Sequence, residues 1–98
     1  MNKLYIIILE DSVDSDFIYR RIYELGVCYR LYKNKFLFYS DEYKSAKSLY
    51  NRIITEDFKQ KGIVVIEIPL NGVSYWGYSD KGLWSWLKNI IPFNNDEE

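Results

Sequence analysis

The stretch LYIIIL, residues 4–9, places six apolar residues in a row near the start of the chain. Isoleucine is β-branched and tyrosine is aromatic, and both favour strands. Side chains of a strand alternate between the two faces of its sheet, so a strand that is apolar at every position needs cover on both faces. The stretch therefore predicts a strand in a sheet with two covered faces, and the rest of the chain must supply both covers.

The residues after this strand predict a helix. Polar and acidic residues, which favour the N-terminus of a helix, fill most of residues 11–16. Apolar residues then recur near helical spacing, at Phe17, Ile18, Ile22 and Leu25. Gly26 follows, and we expect it to end the helix in the manner usual for glycine at that position.

Residues 27–32 and 35–39 predict two strands of a hairpin, with residues 33–34 (Lys-Asn) as the turn between them. The second strand carries Phe36 and Phe38 on alternate positions, as do RNA-binding sheets in which bases stack on aromatic rings. It lacks the glycine and basic residues of the RNA-recognition pattern. We therefore expect both phenylalanines to belong to the core.

A second helix and a further strand follow. Residues 40–42 (Ser-Asp-Glu) are expected to cap the helix. Its apolar stripe consists of Tyr43, Ala46, Leu49, Tyr50, Ile53 and Ile54, with an extension to Phe58. After Gly62, residues 63–68 (IVVIEI) predict a strand that Pro69 limits.

The predicted order is strand, helix, strand, strand, helix, strand. This is the split βαβ arrangement of ferredoxin-like α+β domains, and 98 residues fit one such domain. Right-handed crossovers put both helices on one face of an antiparallel sheet, with the first and third strands at its centre. Residues 94–98 are short, polar and acidic, and we expect a frayed end there.

The helices cover only one face of this predicted sheet, so the second face needs another cover. The candidates are the tail at residues 73–91, a second copy of the chain, or both. The alternative is an apolar face that stays exposed. The tail begins within NGVSYWGYSDKGLWSWL, residues 71–87, which holds all three tryptophans of the chain.

The tail predicts a short extra strand at residues 73–78 and a helix at residues 81–91, capped by Ser79 or Asp80. The apolar stripe of this helix consists of Leu83, Trp84, Leu87, Ile90 and Ile91, and Trp86 lies at its margin. We expect the tail to dock against a protein surface, because each of its three tryptophan rings has a large apolar area that is unfavourable in water. The interaction residues we predict are Trp76, Tyr78, Trp84 and Trp86. They pack within the domain, across a dimer, or against a foreign protein.

Composition excludes several classes of function. The chain has no histidine, which excludes histidine-bearing zinc sites, and a formal net charge of −1, which makes nucleic-acid binding an unfavourable hypothesis. Cys28 is the single cysteine, so no intramolecular disulfide forms, and we expect a buried, inert thiol. The apolar run at residues 4–9 is too short for a signal core or a membrane span. We expect a cytoplasmic protein without a cofactor.

Four stretches together resemble the SinR-like branch of the small ferredoxin-fold family related to the CRISPR spacer-acquisition subunit. They are LGVCYRLYKNKFLFYS (25–40), DEYKSAKSLYNRI (41–53), GIVVIEI (62–68) and WGYSDKGLWSWL (76–87). The similarity covers most of the chain as a pattern of loose positions. It implies a ferredoxin-like homodimer, often with a C-terminal strand that packs on the partner.

The resemblance also raises the possibility of a metal site at the end of the first strand. Some relatives are metal-dependent nucleases, with an aspartate at that position. Here that place reads IIILED, with Glu10 at the strand end and Asp11 after it. This departs from the family pattern. The two carboxylates either start a polar loop or, paired across a dimer axis, hold Mg²⁺ through oxygen ligands.

Three functions follow as hypotheses. The first is a small, non-enzymatic interaction or structural protein that forms a ferredoxin-like homodimer. The second is a phage or mobile-element inhibitor that binds a host defence complex through its aromatic surface. The third is a divalent-metal-dependent nuclease that uses Glu10 and Asp11. The first is the one we favour. Small size, high aromatic content and the absence of P-loop, dinucleotide-binding, nucleophile-elbow and metal-spaced cysteine motifs also fit the inhibitor.

Overall fold

The computed structural model describes residues 2–54, 62–70 and 81–90, with only the backbone of Lys81 among them. In chain order the elements are β1 (Lys3–Leu9), α1 (Ser15–Leu25), β2 (Val27–Tyr32), β3 (Lys35–Ser40), α2 (Ala46–Ile53), β4 (Ile63–Ile68) and α3 (Lys81–Ile90). The described chain is therefore of the predicted α+β class, and its elements lie within a residue or two of most predicted ones.

The four strands form one sheet in the order β2-β3-β1-β4, and every neighbouring pair is antiparallel. β1 lies between β3 and β4, with Ile7 opposite Phe36 on one side and Val65 on the other. The first and third strands occupy the centre, as predicted. The side chains of β1 alternate between the two faces of the sheet and enter an apolar cluster on each face, which accounts for the apolar sequence of residues 4–9.

Helices α1 and α2 cover one face of the sheet. Their side chains Ile18, Ile22, Leu49 and Ile53 are fully buried. They share one core with the strand residues Tyr5, Ile7, Leu9, Phe36, Phe38 and Ile63. Because Phe36 and Phe38 are fully buried beneath the helices, they belong to the core as predicted and are not a stacking platform for RNA bases.

Helix α1 begins as predicted and ends for a different reason. The Asp14 side chain accepts a hydrogen bond from the Phe17 N–H (3.2 Å), which caps the N-terminus. The helix ends at Gly26 as predicted, but the φ of 175° at this residue is extended backbone and not the left-handed conformation usual for a glycine after a helix. Glycine is needed there for space: a Cβ atom at residue 26 would lie 2.7 Å from Cζ of Phe38.

Helix α2 begins later than predicted. Ser40 does not cap it; its hydroxyl accepts from the Glu42 N–H (3.0 Å) in a local turn. The cap is Ser45, whose hydroxyl accepts from the Ser48 N–H while the Ser48 hydroxyl accepts from the Ser45 N–H. This reciprocal capping box holds the first turn. Tyr43 therefore packs on the core from the preceding loop.

Several predictions fall outside the described residues. They are the extension of the second helix to Phe58, the extra strand at residues 73–78, the cap at Ser79 or Asp80, the last helical residue Ile91 and the frayed end at residues 94–98.

Candidate functional site on the outer face of the sheet

Helix α3 packs on the face of the sheet opposite α1 and α2, which we call the outer face. Its buried residues Leu83 and Leu87 form a second apolar cluster with Leu4 of β1 and Leu37 of β3. The predicted stripe of this helix is thereby confirmed at both leucines. The tail helix thus provides part of the second cover that the all-apolar first strand requires.

The two described tryptophans flank this cluster without being fully buried. Trp84 and Trp86 are half-buried and both pack against it. The Trp86 ring lies 5.7 Å from the Tyr29 ring of β2, centroid to centroid, at an interplanar angle of 40°. Each indole therefore combines an anchored side with an accessible side. The other two predicted interaction residues, Trp76 and Tyr78, lie outside the described residues.

The β1–β4 half of the outer face is more open than the half under α3. The exposed fraction is 51% for Val64 and 47% for Ile66, although both lie in a regular strand. The register places them opposite Ile8 and Ile6, which are half-buried. We call these four residues the outer patch. Clustered exposed apolar side chains of this kind are typical of interaction sites.

The charged residues nearest to the outer patch are Lys35, at the margin of the outer face, and Glu67, on the opposite face. Lys35 of β3 stands opposite Ile8, and its ammonium group is 5.9 Å from the centre of the Tyr32 ring. Glu67 of β4 lies on the opposite face and forms an ion pair with Lys3 (3.3 Å). The patch itself is therefore uncharged, which suits an apolar partner better than nucleic acid.

A second site to consider is the corner at the end of β1, where the predicted metal candidates lie. Glu10 and Asp11 line a cavity of about 90 Å³ together with Lys33 and Asn34. The Asn34 side chain donates to the Leu9 carbonyl (3.1 Å) and to the Asp11 carboxylate (3.3 Å). Asn34 thus ties the hairpin turn to the end of β1, a role that the turn prediction missed.

Glu10 is held close to the main chain at the same corner. Gly62 has a φ of 92°, and a Cβ atom there would lie 2.8 Å from Oε1 of Glu10. The Glu10 N–H donates to the Gly62 carbonyl (2.8 Å). Within the described ranges, no group of three or more His, Cys, Asp or Glu side chains is placed to hold a metal ion. The corner therefore has a hydrogen-bonded Asp11 and a Glu10 whose main chain pairs with Gly62.

Arg30 and Arg21 form contacts that join elements of the fold. The Arg30 guanidinium lies over the Tyr19 and Phe36 rings (5.1 and 5.5 Å) and donates to Ser15 Oγ (3.0 Å). Arg21 donates to the Ile53 carbonyl (2.7 Å) at the end of α2. Sequence reasoning did not find either role, because the partners lie far apart along the chain.

Among the residues that the structure describes, two titratable groups have clearly shifted pKa values. Cys28 is half-buried and not fully buried as predicted, and this partial burial raises the pKa of its thiol to about 11, which keeps the thiol protonated at neutral pH. Burial also raises the pKa of the Tyr5 hydroxyl, and the Glu67 carboxylate adds to this shift. The Tyr5 hydroxyl donates a hydrogen bond to the Tyr43 carbonyl (2.8 Å), which ties β1 to the loop before α2.

Comparison with protein-family models, with curated proteins and with solved structures gave no significant match. The resemblance to the SinR-like branch therefore stays a prediction. Of the helices in the described parts of the chain, none combines the length and the apolar character that crossing a membrane requires.

Proposed function

We propose that this chain is a non-enzymatic protein-interaction module that works as a homodimer in the cytoplasm. The observation that carries the proposal is the outer face, which presents apolar side chains on each of the four described strands and is only partly covered by α3. Its open part comprises the outer patch, and half-buried indoles border the cluster beside it. The lone, free Cys28 suits a reducing compartment.

The proposal includes a ferredoxin-like arrangement of the domain. The element order, the antiparallel pairing and the central position of β1 and β3 support it. The shared core of α1 and α2 on one face supports it as well. An experimental structure in which residues 63–68 pair elsewhere than with β1 would overturn this assignment.

The contacts at the end of β1 favour an interaction module over a metal-dependent nuclease. Asp11 accepts from Asn34, and Glu10 packs against Gly62. Asp11 thus has a hydrogen-bond partner of its own, Glu10 is tied to Gly62 through its main chain, and the outer patch lies elsewhere on the sheet.

Two measurements test the proposal together. In light scattering between about 1 and 100 μM, the mass should rise with concentration toward twice the chain mass of 11.8 kDa. Incubation with Mg²⁺ and single- or double-stranded nucleic acid should give no cleavage beyond that of a Glu10→Ala, Asp11→Ala variant. A monomer throughout, or cleavage that the double variant abolishes, would contradict the proposed function.

A further inference from the structure

The outward edge of β4 is a feature that the proposed function leaves unassigned. Among the described residues, only β1 pairs with β4. The Glu10 N–H donates to the Gly62 carbonyl, so Gly62 turns its main-chain groups toward β1. Because these groups alternate along a strand, Ile63, Val65 and Glu67 direct their N–H and C=O groups to the outward edge.

The two edges of the sheet differ in protection. At β2 the register shifts between Arg30 and Tyr32, and the Arg30 guanidinium donates to the Lys33 carbonyl there (2.9 Å). Irregular backbone and charge hinder the addition of another strand. β4 keeps an unbroken register with β1 and carries one charged residue, Glu67. Its edge is thus regular, apolar and suited to strand pairing.

We propose that a second copy of this chain pairs with this edge, β4 against β4, about a two-fold axis at Val65. The inference rests on the homodimer of the proposed function and specifies the interface between its two copies. In this antiparallel register the two Val65 residues exchange main-chain hydrogen bonds. Val64 of one copy then lies opposite Ile66 of the other, at a Cα–Cα distance of about 4.5 Å.

Three properties favour a second copy as the occupant. Val64 and Ile66 are the exposed apolar residues of the strand, and the axis pairs each with the other. Glu67 lies on the opposite face beside Lys3, and the register places it opposite Ile63, so no like charges meet. The same symmetry joins the two outer patches into one surface, which is the isologous arrangement of two-fold dimers.

The size of the contact sets its expected strength. Each β4 contributes six residues, so the strand pair with its bordering patches buries less than the roughly 1,200 Å² of a standard interface. We therefore expect a weak dimer, with a Kd of about 1 to 10 μM.

The test compares Val64→Lys with Val27→Lys. Both valines are 51% exposed and both lie on the outer face of an edge strand, so they form a matched pair. Sedimentation from about 1 to 100 μM should show that the original chain and Val27→Lys dimerise equally. Val64→Lys should raise the dimer dissociation constant at least about tenfold, with an unchanged far-ultraviolet circular dichroism spectrum.

A disulfide cross-link tests the register even if a lysine variant fails to fold. Both partners carry Cys28→Ala; one adds Val64→Cys and the other Ile66→Cys. Their expected Cα–Cα distance of about 4.5 Å suits a disulfide. Oxidation of the mixture should give a mixed dimer in preference to either symmetric one.

The remaining outcomes overturn the proposal in separable ways. A dimer that Val64→Lys leaves intact and that forms no mixed disulfide refutes the β4–β4 interface, while the homodimer of the proposed function stands. A monomer at every concentration refutes both. Slow exchange of the Val65 amide hydrogen in that monomer would then point to residues 73–78 of the same chain as the occupant of the edge.

Discussion

The ring of Trp86 on α3 contacts the ring of Tyr29 on β2, with the centroids 5.7 Å apart. This contact joins the tail helix to the edge strand of the sheet that lies farthest from β4. It therefore helps to decide which half of the outer face α3 covers. The β1–β4 half, with Val64 and Ile66, is left more open.

The Trp86–Tyr29 contact should show energetic coupling. Trp86→Ala should lower the free energy of unfolding by about 1 to 3 kcal/mol, less than for a fully buried tryptophan. In a double-mutant cycle with Tyr29→Ala, the coupling should be about 0.5 to 1.5 kcal/mol. Urea denaturation measures both quantities. Strict additivity of the two substitutions would show that the rings do not interact in solution.

Docking of α3 should depend on Leu87, which is 6% exposed. Leu87→Ala removes buried apolar volume and should cost about 2 to 5 kcal/mol in the free energy of unfolding. The neighbouring Lys88→Ala is the control, because Lys88 is exposed and should change stability by less than about 0.5 kcal/mol. Equal, small effects of both substitutions would mean that the helix is not docked.

Arg30 should matter more for stability than its surface location indicates. Arg30→Ala leaves the buried Ser15 hydroxyl and the Lys33 carbonyl without this donor, at a cost of about 1 to 3 kcal/mol. Asp16 adds little, since its side chain is 71% exposed. Thermal unfolding of Arg30→Ala, Arg30→Lys and the exposed control Arg20→Ala checks this. Full rescue by lysine would contradict a role for guanidinium geometry.

Two glycine substitutions should have opposite effects. Gly26→Ala introduces a Cβ atom 2.7 Å from the buried Phe38 ring and should destabilise the fold by about 1 to 3 kcal/mol. Gly82→Ala, at an exposed position of α3, should stabilise it by about 0.4 to 1 kcal/mol. Chemical denaturation of both variants gives the comparison. A neutral Gly26→Ala would show that the Phe38 ring moves aside without cost.

The half-buried Cys28 thiol should make stability depend on alkaline pH. Its pKa rises from 9.0 to about 11 on folding, so the folded state retains the thiol proton between these values and the unfolded state loses it. The contribution is therefore present below pH 9 and is lost as pH rises toward 11. Unfolding of the original chain and of Cys28→Ala, measured from pH 8 to 11, should diverge in this direction. Parallel curves would argue against a buried thiol.

The regular strands were predictable because their signal is local. Residues 4–9, 27–32 and 63–68 carry β-branched and aromatic residues in stretches bounded by polar residues or glycine, and the structure places strands there. The leucines of α3 were predictable for the same reason, since Leu83 and Leu87 repeat at helical spacing.

The features that the sequence did not reveal depend on distant partners or on competing polar groups. Ser40 and Ser45 both suit a helix cap, and only tertiary packing of Tyr43 decides between them. Arg30 finds its acceptor fifteen residues away on α1. Likewise, Val64 is exposed because α3 docks on the other half of the outer face. The local sequence IVVIEI does not predict where α3 docks.

The position of β1 in the middle of the sheet has a consequence for how the chain folds during its synthesis. β1 leaves the ribosome first but pairs with β4, which follows almost sixty residues later, so loop closure delays the formation of its second edge. Until β4 arrives, the apolar first strand has only the hairpin to pair with, and α3 has not been made. The nascent chain therefore exposes its most aggregation-prone segment for longest, and we expect its yield in cells to depend on chaperones.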